Sequence, residues 1–130
     1  MALRMKMYVV NLKPIPWQRP HLNEKTFFDN QKKEKVLFGI YLQQQHNDEP
    51  LFGKSISMDL TFFMPIPRSV KDRTKNPYHA NRPDLDNLCK FVLDSMKDVI
   101  ITDDKIISIL TAMKVYDNNP RTEILIKEVE

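Results

Sequence analysis

The chain has 130 residues, 42% of them hydrophobic and 28% charged, with a formal net charge of +3. That length suits one domain spanning 1–130, able to bury roughly two thirds of its unfolded surface, and the charge is only a mild lean towards anionic partners. No apolar run approaches the ~20 residues needed to cross a bilayer, and the interrupted opening MALRMKMYVV does not read as a signal peptide; the single cysteine, Cys89, excludes an internal disulfide, so a cytoplasmic protein with no membrane contact is expected.

Lys6–Leu12, with Tyr8, Val9 and Val10, reads as a first strand. The segment Lys13-Pro14-Ile15-Pro16-Trp17-Gln18-Arg19-Pro20-His21 that follows is too rich in proline for a helix or a central strand. It carries the only tryptophan. Trp17 beside Arg19 either pins this loop to the core or stacks on a splayed base. Asp29 is placed to cap a helix over about 30–46, with Val36, Leu37, Ile40 and Tyr41 expected towards the core. From Lys54 to Met64 the chain alternates strictly, with Ile56, Met58, Leu60, Phe62 and Met64 on one face, the clearest strand pattern in the sequence.

Pro65-Ile66-Pro67 ends that strand and opens a long stretch, 66–82, without regular pattern. It holds Arg68, Lys71, Arg73, Lys75 and Arg82 against the single acid Asp72. Such a run is either a solvated loop or a surface that meets phosphates and releases their counterions. Beyond it, Arg82–Ser108 reads RPDLDNLCKFVLDSMKDVIITDDKIIS. A helix is expected to start at or just after Pro83, with Leu85, Leu88, Val92, Met96 and Val99 on one face and Asp86, Lys90, Asp94 and Lys97 on the other. Strands over 106–116 and 122–129, joined by a turn at Asp117-Asn118-Asn119-Pro120, complete a β-α-β-α-β-β order. The expected architecture is α+β: a small mixed sheet with two helices packed on one face.

Two glycines leave no phosphate-cradling loop or nucleophile elbow, and His21, His46, His79 and Cys89 lack zinc-ligand spacing, so they read as structural or surface residues. The acids of the 82–108 stretch remain. Asp84 suits an N-cap, Asp86 and Lys90 suit an ordinary i,i+4 pair worth roughly 0.2–0.5 kcal/mol, and Asp103-Asp104 suits a turn. The competing reading is a carboxylate cluster that binds a metal.

The run Arg82-Pro83-Asp84-Leu85-Asp86-Asn87-Leu88-x-Lys90, then Leu93-Asp94 and, one helix later, Asp103-Asp104, resembles the signature of the RusA family of Holliday junction resolvases. Two separated motifs at compatible spacing make the likeness more specific than a lone Asp-x-Asp. The Pro-x-Pro-aromatic-x-Arg-Pro opening around Trp17 is similar to that of some relatives. The resemblance implies a Mg²⁺-dependent, structure-selective endodeoxyribonuclease (Mn²⁺ able to substitute, no small-molecule cofactor) that acts as a homodimer and resolves four-way junctions by paired symmetric nicks. It assigns metal binding and catalysis to Asp84, Asp86 and Asp104, with Asp103 the alternative to Asp104, and a catalytic role to Lys90. Asp94 is expected to be structural or supporting. The DNA contacts expected are Arg68, Lys71, Arg73, Lys75, Arg82, Trp17 and Arg19. Carboxylates that converge repel by about 4 kcal/mol per pair at about 4 Å and an effective dielectric of about 20, so a proton or a cation must sit among them. A related nuclease on flaps or other branched DNA, and a catalytically silent junction-binding protein, are the alternatives.

Overall fold

The computed structural model describes residues 2–19, 21–22, 27–28, 30–68 and 77–129, with side chains at all of these except 21–22 and 27–28. Its strands are β1 (Met5–Val10), β2 (His21–Leu22), β3 (Phe27–Phe28), β4 (Ile56–Met64), β5 (Ile107–Tyr116) and β6 (Arg121–Glu128). The helices are α1 (Lys32–His46) and α2 (Leu85–Met96), and a single 3-10 turn, Asp104–Ile106, precedes β5. The principal elements follow the expected β-α-β-α-β-β order; the short β2–β3 hairpin is an addition that the pattern of the sequence does not signal.

The four long strands form one mixed sheet in the order β1-β6-β4-β5, in which β4 and β5 run parallel and the other neighbours antiparallel. β4 sits inside the sheet because its alternation is real: Ile56, Met58, Leu60, Phe62 and Met64 are all at most 2% exposed. Tyr8 and Val10 of β1 and Ile124 and Ile126 of β6 join them on the helix-covered face. The opposite face keeps Met5, Met7 and Asp59 in water. β5 is an edge strand; its register sets Leu110 beside Met58, Ala112 beside Leu60 and Lys114 beside Phe62, so these three share the face on which the helices lie.

Helix α2 buries Leu88, Phe91, Val92 and Met96 to at most 1% exposure. At roughly 1.5–3 kcal/mol for each fully buried large apolar side chain, this face anchors the helix far more firmly than any single surface ion pair. Its polar face is therefore free for chemistry. Cys89 is also buried, as expected of a small packing residue. Burial, then the nearby Asp86 charge, pushes its thiol pKa up and keeps it protonated.

Helix α1 corrects one expectation. Val36, Leu37 and Ile40 are 54%, 46% and 44% exposed, and the buried side is Phe38, Gly39, Leu42 and His46. Apolar residues run almost without a break from 36 to 42, so the sequence selects no face; the crossing with α2 does. There Gly39 lies against the Ser95 carbonyl, and Phe38 meets Phe91 edge-on with ring centroids 5.6 Å apart. Gln31 occupies the N-cap position, and the expected cap Asp29 lies outside the described residues. Among the described residues no helix is long and apolar enough to cross a membrane.

Candidate active site

The site is built where α2 begins. Asp84 takes the N-cap position in extended conformation, and its backbone carbonyl accepts from the Leu88 N–H at 3.2 Å. Its carboxylate forms no capping hydrogen bond, so the helix end does not use it. The preceding Arg82-Pro83 peptide is cis. From the sheet below, Lys114 of β5 donates through Nζ to the carbonyls of Asn81 and Pro83, at 2.8 Å each, and fixes the turn that carries Asp84.

Asp86 follows in the first turn, exposed, with Oδ1 accepting from the Asn87 N–H at 2.9 Å. Asp86 and Lys90 do not form the i,i+4 ion pair that is one of the two readings of this turn. Lys90 instead lies with Nζ 4.4 Å from the centroid of the Trp17 ring. A cation over an indole face is held by the ring quadrupole and stays available to an anion on its open side. Trp17 is half-buried and docks the proline-rich segment on α2, its N–H donating to the Asn87 carbonyl at 2.9 Å. Gln31 straps the same segment from α1: its Oε1 accepts from the Gln18 N–H and its Nε2 donates to the Pro16 carbonyl, both at 2.8 Å. Trp17 therefore does pin the loop, and in doing so carries Lys90.

The second acidic pair reaches this region through the segment after α2. Asp98 turns the chain with a left-handed φ of 63°. Ile100 and Ile101 are fully buried, and Phe52 brackets them, its N–H donating to the Ile100 carbonyl at 2.9 Å and its own carbonyl accepting from the Thr102 N–H at 3.0 Å. Asp103 and Asp104 follow directly. Lys97 lies 3.8 Å from Asp103 Oδ1, whereas Asp104 lines an open groove of about 700 Å³ together with Asp86, Lys90 and Asp94 over a floor that includes Leu110 and Ala112. A hydrogen bond between the two carboxyls lowers the pKa of Asp103 and raises that of Asp104, with burial adding to the latter.

The structure thus brings Asp86, Lys90 and Asp104 to one groove. Asp84 lines a separate cleft of about 540 Å³, on the other side of the first turn, with Lys13, Trp17, Arg82 and Asn87. Among the described residues no three His, Cys, Asp or Glu side chains stand close enough to hold a metal ion, so the set Asp84, Asp86 and Asp104 is not gathered into one cluster. The donor chemistry fits a hard cation nonetheless: Asp86 and Asp104 offer carboxylate oxygens in one groove, and Mg²⁺ is often held by one or two carboxylates with waters and substrate phosphate. Asp94 is tied to α1 by Lys35 at 3.4 Å, a structural role as expected. Arg19, Arg68 and Arg82 are exposed, while Lys71, Arg73 and Lys75 lie outside the described residues. Sequence reasoning misses Lys114 and Gln31. Both act across long chain separations on backbone carbonyls or amides, which no local pattern reports.

The model of the family described as endodeoxyribonuclease RusA matches residues 11–127, a span that contains every element of the site. The chain is also 29% identical over 135 aligned positions to the uncharacterised protein YqaN of Bacillus subtilis (strain 168), an alignment that covers 94% of this chain and 95% of that protein.

Proposed function

The chain belongs to the RusA endodeoxyribonuclease family, and from that premise we propose that it is a divalent-metal-dependent nuclease that resolves four-way DNA junctions by paired, symmetric nicks. The family supplies the coarser part, an endonuclease of the Holliday junction resolvase kind. One observation carries the finer part: Asp86, Lys90 and Asp104, drawn from two separated segments, line a single open groove beside a helix start whose Asp84 carboxylate is unused by the fold.

In this reading Asp86 and Asp104 would hold Mg²⁺, with Mn²⁺ able to replace it, and Asp84 would supply a further carboxylate from the neighbouring cleft. When bound, such an ion activates water and draws charge from the phosphoryl group. The remaining work falls to the chain. Lys90, steadied on the Trp17 ring, donates its ammonium to a phosphate oxygen as negative charge builds there. Asp104 would hold the ion as a carboxylate, with Asp103, paired with Lys97, beside it. Arg19, Arg68, Lys71, Arg73, Lys75 and Arg82 contact phosphates, and Trp17 borders the same surface. The active form is a homodimer, since two nicks on a two-fold junction need two sites related by matching symmetry. The edge strand β5 supports this, with Leu110 44% exposed on the groove face and Ile109 and Met113 53% and 45% exposed on the opposite face.

A labelled four-way junction incubated with the protein tests the proposal. Paired nicks with religatable ends are expected with Mg²⁺ or Mn²⁺ and none in chelator. Absence of nicking with either ion, or preferential cutting of flaps, would overturn it.

A further inference from the structure

The cleft on the Asp84 side of the first turn differs from the groove that holds Asp86 and Asp104. Its apolar lining comes from Pro14, Pro16, Pro83, buried Met64 and the Trp17 indole, and the Asp84 carboxylate also borders it. Into it turn Lys13, Arg82 and Asn87, and no hydrogen bond or ion pair within the described residues engages these three side chains. Ring and proline faces with two free cations and a free carboxamide match the parts of a nucleotide: a π-face, a phosphate and a hydrogen-bonding base edge. Asn87 follows Asp86 directly on α2, so a nucleotide seated here adjoins the phosphate that reaches the carboxylates.

We propose that this cleft binds one unstacked nucleotide next to the scissile phosphate, its base against Trp17 and its edge read by Asn87, with Lys13 and Arg82 on the flanking phosphate. The inference rests on the nuclease reading above and deepens it: the pocket selects the base beside which the strand is cut. A carboxamide offers one acceptor and two donors, so it discriminates among base edges, whereas the indole accepts any of them. The pocket also communicates with the groove, because the indole that lines the first holds Lys90 of the second.

Trp17 is the only tryptophan in the chain, so its emission reports on this cleft and on the Lys90 ammonium it carries, and the abasic series isolates the contribution of the base. Four-way junctions carrying a single abasic site, stepped outwards from the crossover, are titrated in chelator while fluorescence and gel mobility are followed. The intact junction is expected to quench Trp17. An abasic site at one position should remove the quench and weaken binding roughly ten-fold, in keeping with the loss of one base–aromatic stack. Asn87→Ala should keep the quench and flatten the preference among the four bases at that position. A quench indifferent to every abasic site, binding without any quench, or a base preference unchanged in Asn87→Ala would overturn the proposal. Nicking in Mg²⁺ separates this from the reading beneath it. Normal nicking without a base-dependent quench rejects the pocket and leaves the nuclease standing; a base-dependent quench without nicking supports the pocket and rejects the nuclease.

Discussion

The two ends of the molecule treat their polar side chains differently. Beside the start of β1, they satisfy one another: the Tyr8 hydroxyl meets His46 Nδ1 at 2.6 Å, His46 Nε2 lies 3.2 Å from the Pro50 carbonyl, and Lys6 Nζ lies 2.6 Å from Glu49. Arg4 completes that end by lying 4.0 Å over Phe52. At the start of α2, the carboxylate of Asp84, the carboxamide of Asn87 and the cations of Lys13 and Arg82 face open clefts with no partner within the described residues. A buried polar group without a partner costs about 1–3 kcal/mol, and an exposed one costs little. The first end must therefore be internally complete, and the second can hold its groups ready for something else. Satisfaction marks what the fold needs; readiness at an anchored helix start marks what the fold is for.

The sharpest way to break this contrast is Asp86→Asn. If the carboxylate serves chemistry, nicking falls by orders of magnitude with the metal lost or misplaced, while the melting temperature stays level and junction affinity in chelator holds or rises. Near-normal nicking would erase the distinction between the two ends. The converse substitution is His46→Ala, which leaves the buried Tyr8 hydroxyl without its partner, whereas the Pro50 carbonyl keeps its bond from Arg4. Denaturant unfolding should show a loss of about 2–3 kcal/mol, with nicking of the folded protein near normal.

Lys114 lies between the two classes, since it serves the fold of a turn that serves the site. Lys114→Met retains the buried stem but releases the carbonyls of Asn81 and Pro83. Nicking should drop by about 10- to 100-fold through misplacement of Asp84, and the melting temperature should move little. Gly39→Ala sharpens the contrast from the packing side. A Cβ there would meet the Ser95 carbonyl at 3.5 Å and Val99 Cγ2 at 3.6 Å, ordinary contacts, so the gain in helix propensity should stabilise the protein by about 0.5–1 kcal/mol with activity unchanged.

The smallest effects are in pH. The hydrogen bond from Lys6 lowers the pKa of Glu49, so that contribution to stability is present above the ordinary carboxylate value and is lost as pH falls through the lowered one. Asp104 runs the other way: its pKa is raised by the hydrogen bond with Asp103, so its contribution is present at low pH and is lost as pH rises through the raised value. Asp103, lowered by the same bond, offsets it. Glu49→Gln should therefore flatten the acid side of a melting-temperature profile, whereas Asp104→Asn should barely alter it. Carbon-detected titration should find the Asp103 and Asp104 carboxyls on opposite sides of the usual range.

Strand β4 and helix α2 were legible in the sequence for the same reason: each buries one face, and the apolar period of each records it. Helix α1 was legible as a helix but not in its orientation, because apolar residues surround it and only the approach of Gly39 to α2 selects a side. The site was half legible. Asp84, Asp86, Lys90 and Asp104 stand in a recognisable run, and the run is where the groove forms. What the local pattern suggested for Lys90, a pair with Asp86 one turn away, gave way to an indole more than seventy positions earlier in the chain. The split of the carboxylates between two clefts was equally invisible, since helix spacing gives faces and not the neighbours that wall them.

The proline-rich segment has one more consequence, for amide exchange. Pro14, Pro16 and Pro20 carry no N–H, so the stretch offers few exchangeable protons, and two of these, on Trp17 and Gln18, are the ones held by Asn87 and Gln31. Each bond leads to a different helix. The exchange of those two neighbouring amides therefore reads separately whether the segment has parted from α2, from α1 or from both, which gives the loop beside the candidate site a two-channel reporter within a single dipeptide.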